Sequence, residues 1–195
     1  MSIDNIGVIY ESMEEYKKAL EWYEKALEGR ESTLGPTHPD TLITVNNIGD
    51  IYNKMGDYPK MQEWYRWTLE GREESAGRHH PDTISVINDI AIAYGNNDSD
   101  YESALEWYTK AWKRYKESSL GADLVDVLET AHSIGETLCN LERYEDAVEW
   151  FEITLKGMKA SSSRGPTHED TISVVRDYVS CLVNLNGDDD ERANL

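Results

Sequence analysis

The 195-residue chain is strongly acidic, because Asp and Glu outnumber Lys and Arg by 38 to 19 and give a formal net charge of −19. Such a charge repels polyanions, so we expect the chain to bind neither nucleic acid nor an anionic membrane surface. Its hydrophobic fraction of 39% is sufficient for a folded core. No apolar run approaches the roughly 18 residues of a membrane span, and the start MSIDNIGVIYESMEEY is acidic where a signal peptide is basic. A cytoplasmic protein is therefore expected.

A long repeat is visible near the start of the chain, where IDNIGVIYESMEEY at 3–16 returns 42 residues later as VNNIGDIYNKMGDY at 45–58. A column of small residues extends the period along the chain: Gly7, Gly49, Ala91, Gly135 and, less closely, Val179. A second column consists of aromatic pairs that each follow a Glu: Trp22-Tyr23, Trp64-Tyr65, Trp107-Tyr108 and Trp150-Phe151. Steps of 42 to 44 residues predict an array of like units.

Each unit is predicted to contain two helices. In the second unit Val45, Ile48 and Tyr52 fall on one side of a wheel that turns about 100° per residue, and this side is the predicted core face. The sequence KMGDY at 54–58 then marks the turn to the second helix, because Gly readily adopts the conformation that ends a helix. The third unit has a longer turn, GNNDSDY at 95–101, which accounts for its longer period.

In chain order the units are predicted at residues 1–36, 37–78, 79–121, 122–165 and 166–187. The first begins inside its own first helix, without the lead sequence of later units, which indicates a piece of a longer array. The fifth contains only a first helix, near 169–185, and the acidic end at 188–195 is expected to be frayed. The predicted fold is an all-α solenoid of four helix pairs plus one further helix.

Three links between units share a pattern: LGPTHPDTL at 34–42, AGRHHPDTI at 76–84 and RGPTHEDTI at 164–172. Each places a Gly stop before a helix start, and Pro39 suits the first helical turn because its missing N–H is not needed there. Thr37 with Asp40, and Thr167 with Asp170, have the spacing of a capping box. The link LGADLVDVL at 120–128 lacks the His and Pro, so we expect a less sharply defined helix start there.

The units resemble the tetratricopeptide repeat. In unit one its pattern of apolar, small and aromatic positions is filled by Ile3, Ile6, Gly7, Tyr10, Ala19 and Tyr23. Unit two departs from the pattern at Met61, where a small residue is usual, and looser packing is expected there. The long period and the HPDTL links are similar to kinesin light chains and to the C-terminal repeat arrays of fungal and bacterial NLR-like NTPases. The resemblance implies a right-handed superhelix with a concave groove.

The resemblance also implies that the side of each first helix opposite its core faces that groove. On this side the residues predicted to contact a peptide or partner protein are Asn5, Asn46, Asn47, Asp50, Lys54, Asn88, Asp89, Asn96, His132, Glu136 and Asn140. Asparagine is unfavourable inside helices, whereas its amide both donates and accepts and can hold the backbone of an extended peptide. The alternative is a solvated polar face. Because acids predominate there, a neutral or basic partner is favoured.

Metal and redox chemistry are not expected. Cys139 and Cys181 form no Cys-x-x-Cys pair, so we predict two buried, reduced thiols. Three histidines share one link position, which favours a capping role over metal binding: His38, His80 and His168. His132 stands on the groove side, where it offers a pH-sensitive contact to a ligand. The repeated tryptophans are predicted to pack between units or, if exposed, to form a second binding strip.

The leading hypothesis is a protein–protein interaction module, in one version the ligand-sensing arm of an NLR-like signalling NTPase. A cargo or scaffold adaptor of the kinesin-light-chain type is the alternative, and an enzyme is the third class. No G-x-S-x-G, H-E-x-x-H or phosphate-loop motif occurs, so we predict no catalytic residues and no cofactor. We expect a monomer or a weak end-to-end self-association, because the ends of a repeat array expose apolar faces.

Overall fold

The computed structural model describes residues 3–96, 100–118, 125–160 and 169–193, with side chains described from residue 5 and up to residue 185. Within these ranges the chain forms helices and no strands. They are α1 (Ile3–Ser12), α2 (Tyr16–Leu34), α3 (Pro39–Lys54), α4 (Tyr58–Ala76), α5 (Pro81–Asn96), α6 (Tyr101–Glu117), α7 (Val125–Asn140), α8 (Tyr144–Ala160) and α9 (Glu169–Ala193). The predicted all-α fold of four helix pairs and one further helix is confirmed.

The helices belong to two compact units, residues 1–93 and 94–195. The first unit contains α1 to α4 and most of α5, and the second contains the end of α5 and α6 to α9. Helix α9 continues to Ala193. It is therefore longer than the predicted helix near 169–185, and it includes most of the acidic end that was expected to be frayed.

The core of the first unit is formed by one face of each helix. Val45 and Ile48 of α3 are fully buried, as the helical wheel predicts, and they pack with Ala19 and Tyr23 of α2. Met61 is also fully buried, so the larger side chain at this position is accommodated inside the core. In the second unit the buried residues include Ile134, Leu138, Phe151 and Val174.

The column of small residues is a steric requirement of the helix pairs. A Cβ atom added to Gly49 would lie 2.8 Å from Cδ1 of Tyr65, and one added to Gly135 would lie 2.8 Å from Cε1 of Phe151. Atoms in protein cores do not approach so closely without displacement. In these pairs the first helix thus meets the aromatic side chain of the second helix at a glycine, whereas the third unit has Ala91 at this position of the column.

The link between α2 and α3 uses a cap that differs from the predicted one. His38, in extended conformation, is the N-cap of α3, and its Nδ1 accepts a hydrogen bond from the backbone N–H of Asp40 at 3.2 Å. The predicted capping box of Thr37 and Asp40 is therefore wrong, because Thr37 lies one position too early. His80 caps α5 in the same way, through the N–H of Asp82 at 3.2 Å. The capping role predicted for these histidines is confirmed, whereas His168 and Thr167 lie outside the described residues.

Replacing His38 by Ala is expected to lower the free energy of unfolding by about 1 kcal/mol, the usual cost of losing an N-cap. The reason is that the N–H of Asp40 loses its acceptor. Urea denaturation measures the change. Asn is a good N-cap, so His38→Asn should retain most of the stability, and an equal loss in both variants would contradict the capping role.

No described helix is both long and apolar enough to cross a membrane. Both cysteines are free thiols; Cys181 is buried as predicted, whereas Cys139 is only half-buried. The helix start predicted to be poorly defined, at 120–128, lies largely outside the described residues, and the described part of α7 begins at Val125.

Candidate functional site

The predicted binding residues divide into two groups by burial. Those near the middle of the first helices are half-buried: Asn46, Asn47, Asp50, Asn88, Asp89 and His132. Those nearer the helix ends, together with one residue of α7, are exposed: Asn5, Lys54, Asn96, Glu136 and Asn140. The middle positions are therefore not simply solvated, and Asp50 and His132 bind side chains of neighbouring helices.

In the first unit, Asp50 of α3 lies at the centre of these contacts. The hydroxyl of Tyr65, from α4, donates to Oδ1 of Asp50 at 2.5 Å, and Nδ2 of Asn46 donates to Oδ2 at 3.4 Å. Burial raises the pKa of the Asp50 carboxyl, and the Tyr65 hydrogen bond offsets part of this effect because it stabilises the ionised form. Tyr65 thus keeps a half-buried carboxylate in place.

Asp89 of α5 is the second half-buried acid of this unit. Burial raises its pKa to about 6, and the nearby charge of Asp50 contributes to the increase. We call Asp50 and Asp89 the carboxylate pair. Among the described residues neither acid forms an ion pair with a lysine or arginine, so the negative charge of the pair is offset only in part, by the nearby Lys54 acting on Asp50.

The nearest lysine of this face is already engaged. Nζ of Lys54 lies 2.6 Å from Oε1 of Glu11, whose other oxygen accepts a hydrogen bond from the hydroxyl of Tyr23 at 2.8 Å. The hydrogen bond to Glu11 raises the pKa of Lys54. Lys54 was predicted to contact a partner, and any such contact has to compete with Glu11.

Asn46 has an unsatisfied acceptor. Its Oδ1 is buried and has no hydrogen-bond partner, while its Nδ2 binds Asp50. Buried polar atoms of this kind are uncommon in proteins and call for an explanation, such as a ligand or solvent molecule that completes the site.

In the second unit, His132 of α7 meets Asp177 of α9, with Nε2 of His132 3.0 Å from Oδ2 of Asp177. The ring of His132 packs 5.8 Å from that of Phe151, which fixes its position. Glu136 follows one turn later on α7. A pocket of about 180 Å³ opens beside these residues, and its lining includes Glu136, Cys139, Asn140, Asp177 and Cys181. Burial, then the neighbouring Cys181, raises the pKa of the Cys139 thiol, so it stays protonated.

Two contributions were missed by the sequence-based prediction. The hydroxyl of Tyr65 was assigned only to the core, although it binds Asp50. Asp177 occupies the repeat position of Asp89, two steps of 44 residues further along, so the repeat alignment places it on the groove side, but its contact with His132 was not predicted. The repeat alignment contains the signal for Asp177, since an acid recurs in that column.

The tryptophans are half-buried and pack against other rings. Trp64 stacks on Trp67 with ring centroids 5.5 Å apart, and Trp112 of α6 meets Trp150 of α8 edge-on at 5.1 Å. The second contact joins successive repeats, as the packing interpretation predicts. Lys110 lies over the ring of Trp107 at 4.2 Å, which covers part of its face.

Sequence profiles described as tetratricopeptide repeat match residues 1–74, 42–117 and 127–160. The matched ranges together include most of the chain and contain α1 to α6, most of α7 and all of α8. No curated protein sequence gives a significant match.

Solved structures show the same fold at low sequence identity. A putative kinesin light chain of Podosopora anserina with nearly identical TPR-like repeats superposes with a TM-score of 0.76 at 16% identity, covering 99% of this chain and 89% of that one. BtubC (BKLC) from P. vanneervenii gives 0.69 at 17% identity, with 81% and 62% coverage. The apo form of RapI gives 0.77 at 15% identity, with 95% and 48% coverage. The resemblance inferred from the repeated residues is thus confirmed at the level of sequence profile and fold, and the chain belongs to the tetratricopeptide repeat family.

Proposed function

We propose that the chain is a protein-interaction module that binds a peptide, or an extended segment of a partner protein, on the first-helix face of residues 1–93. A basic side chain of the partner would lie at the carboxylate pair. The observation that carries this proposal is the pair itself: Asp50 and Asp89 are half-buried, the charge of Asp50 raises the pKa of Asp89, and among the described residues only Lys54, which is bound to Glu11, partly offsets the charge of Asp50.

A guanidinium or ammonium group would relieve this repulsion. The carboxylate of Asp50 is oriented by Tyr65, so an incoming donor meets a fixed acceptor and loses less conformational entropy on binding. Hydrogen bonds between charged groups are about twice as strong as neutral ones, and Arg can donate to both acids at once. The acidic excess of the whole chain also accelerates the approach of a basic partner.

Amides on the same face supply contacts to a peptide backbone. Three of them are half-buried: Asn46 and Asn47 of α3, and Asn88 of α5, which is the repeat equivalent of Asn46. The unsatisfied Oδ1 of Asn46 is an acceptor for a peptide N–H after rotation of the side chain. Family membership supports a binding role, because stacked helix pairs bury one flank and leave an extended surface on the other.

The double variant Asn47→Ala with Asn88→Ala is expected to weaken peptide binding at least about tenfold, since each lost hydrogen bond contributes roughly 1 kcal/mol. A peptide array probed with the wild-type chain identifies a binding sequence, and fluorescence anisotropy measures its affinity for each variant. Circular dichroism verifies that the variant remains folded. Unchanged affinity for every bound peptide would contradict the amide contacts.

The basic-residue preference has its own test. Peptides in which the Lys or Arg is replaced by Gln should bind less tightly to the wild-type chain, and Asp50→Asn should remove that difference. Glu70→Gln is the matched control, because it removes one exposed negative charge from α4 without altering the carboxylate pair. An equal loss with Glu70→Gln would mean that overall charge, and not the pair, attracts the peptide.

A finer version of the proposal makes this module the ligand-sensing arm of a larger NLR-like switch. Its support is the similarity of phrases such as LGPTHPDTL and ALEWYEKALEGRE-type helices to those arrays. A phosphate-loop motif upstream in the same gene would favour the sensor, whereas a coiled-coil heptad repeat there would favour an adaptor.

A further inference from the structure

We propose that His132, Glu136 and Asp177 form a binding site for a divalent transition metal of the zinc class. The site lies within residues 94–195 and does not depend on the peptide-binding proposal. It also revises the prediction that the chain has no metal site, because one of the three ligands comes from a different helix, α9, and sequence spacing alone does not bring it to the other two.

The three side chains converge on one point. His132 and Glu136 are four residues apart on α7, so they leave the same face of the helix. Asp177 reaches them from α9, with its Oδ2 3.0 Å from Nε2 of His132. One ligand atom of each residue lies within 4.8 Å of the ligand atoms of the other two. Zinc bonds to N and O of about 2.0–2.2 Å place ligand atoms roughly 3.3 Å apart, so the donors need to approach one another by no more than about 1.5 Å.

The chemistry of the three donors suits zinc. Zinc binds both imidazole nitrogen and carboxylate oxygen, and three protein ligands leave a fourth position for water. Asp177 and His132 are largely covered, with 29% and 18% of their side chains exposed, which limits competition from solvent. Nε of Arg176 lies 3.8 Å from the other oxygen of Asp177, but this side chain is 74% exposed and is free to turn away.

The site is also held in position before any metal arrives. The ring of Phe151 packs against His132 at 5.8 Å, and Phe151 itself is buried against Gly135. The pocket beside Glu136 and Asp177 gives the fourth coordination position access to solvent. A simple contact between a His and an Asp does not require a packed aromatic ring or an adjoining pocket. His80 and Asp82, with Nδ1 and Oδ2 3.9 Å apart, form such a contact in the same chain.

Isothermal titration calorimetry of the chelator-treated chain with zinc chloride tests the site. We expect one zinc ion per chain, loss of binding in His132→Ala, and at least about a tenfold weaker affinity in Glu136→Gln, comparable to the effect of disturbing a metal's supporting residues. His80→Ala is the matched control and should bind zinc as the wild type does. Glu136 is exposed, so its variant is expected to fold normally.

Two results would overturn the proposal: no zinc binding by the wild-type chain, or unchanged affinity in both His132→Ala and Glu136→Gln. Cobalt substitution gives a second measurement, because an imidazole and two carboxylates produce d–d bands without a thiolate charge-transfer band. A thiolate band that disappears in Cys139→Ser would assign the metal to the neighbouring thiols and would equally refute the proposed ligands. Since only the metal is added, neither outcome bears on peptide binding.

Discussion

Replacing Gly49 by Ala should destabilise the protein by about 2–3 kcal/mol, the range for overpacking a close-packed core together with a strained hydrogen bond. The new methyl group would lie 2.8 and 2.9 Å from two ring atoms of Tyr65 and 3.5 Å from Cβ of Trp64. The ring cannot simply move aside, because its hydroxyl is bound to Asp50 at 2.5 Å. The variant therefore has to separate α3 from α4 or break that hydrogen bond.

Gly29→Ala is the matched control for this variant. Gly29 is also inside a helix, α2, but no other atom would lie within 4 Å of an added Cβ. Alanine in such a position usually stabilises a helix by about 0.5–1 kcal/mol. Urea denaturation of the two variants should thus give changes of opposite sign. A Gly49→Ala protein as stable as Gly29→Ala would show that the aromatic contact does not constrain the column of small residues.

The repeat architecture could be predicted from the sequence because it depends only on the spacing of residues along the chain. A period of 42 to 44 residues and the wheel positions of Val45 and Ile48 are sufficient to assign helices and their core faces. The cap of α3 could not be assigned in this way. Thr37 and His38 are adjacent and both carry acceptors, and only the backbone conformation, extended at His38, decides which one caps.

The candidate sites show a similar division. The faces on which Asn46, Asp50 and His132 lie follow from helical periodicity, so those residues could be selected from the sequence. The residues of other helices that contact them could not be predicted from the sequence. The contact of Tyr65 with Asp50, and that of Asp177 with His132, depend on how far one helix is shifted along another. Sequence spacing within a helix contains no information on that shift.

The carboxylate pair lowers the stability of the folded chain. A half-buried acid with a raised pKa destabilises the folded state when it is ionised, and among the described residues no lysine or arginine pairs with Asp89. Sites of binding are the places where such local conflicts are expected, because the charge is compensated only when the ligand is present. Stability and binding are therefore predicted to change in opposite directions when this charge is removed.

Asp89→Asn is expected to stabilise the folded chain at pH 7. Raising the pKa of Asp89 from 3.8 to about 6 costs the ionised folded state about 3 kcal/mol, at about 1.4 kcal/mol per pKa unit. Asparagine has a similar shape and no charge, so it removes most of this cost. The same variant should bind a basic peptide more weakly, because one of the two acids facing the peptide's cation is gone.

The pH dependence of the stability difference between wild type and Asp89→Asn tests whether the raised pKa of Asp89 causes that difference. Because the folded pKa of Asp89 lies above the unfolded value, the folded state holds the proton more tightly, and its contribution to stability is lost as pH rises from about 4 through about 6. The groups near Asp89 are Asp50 and Tyr65, with Lys54 and Glu11 beyond them. Urea denaturation from pH 4 to pH 7 should show nearly equal stabilities of wild type and Asp89→Asn at pH 4 and a gap that widens toward pH 7. Glu70→Gln, which removes an exposed acid, should show no such widening. A constant gap for Asp89→Asn would mean that the surroundings do not raise the pKa of Asp89.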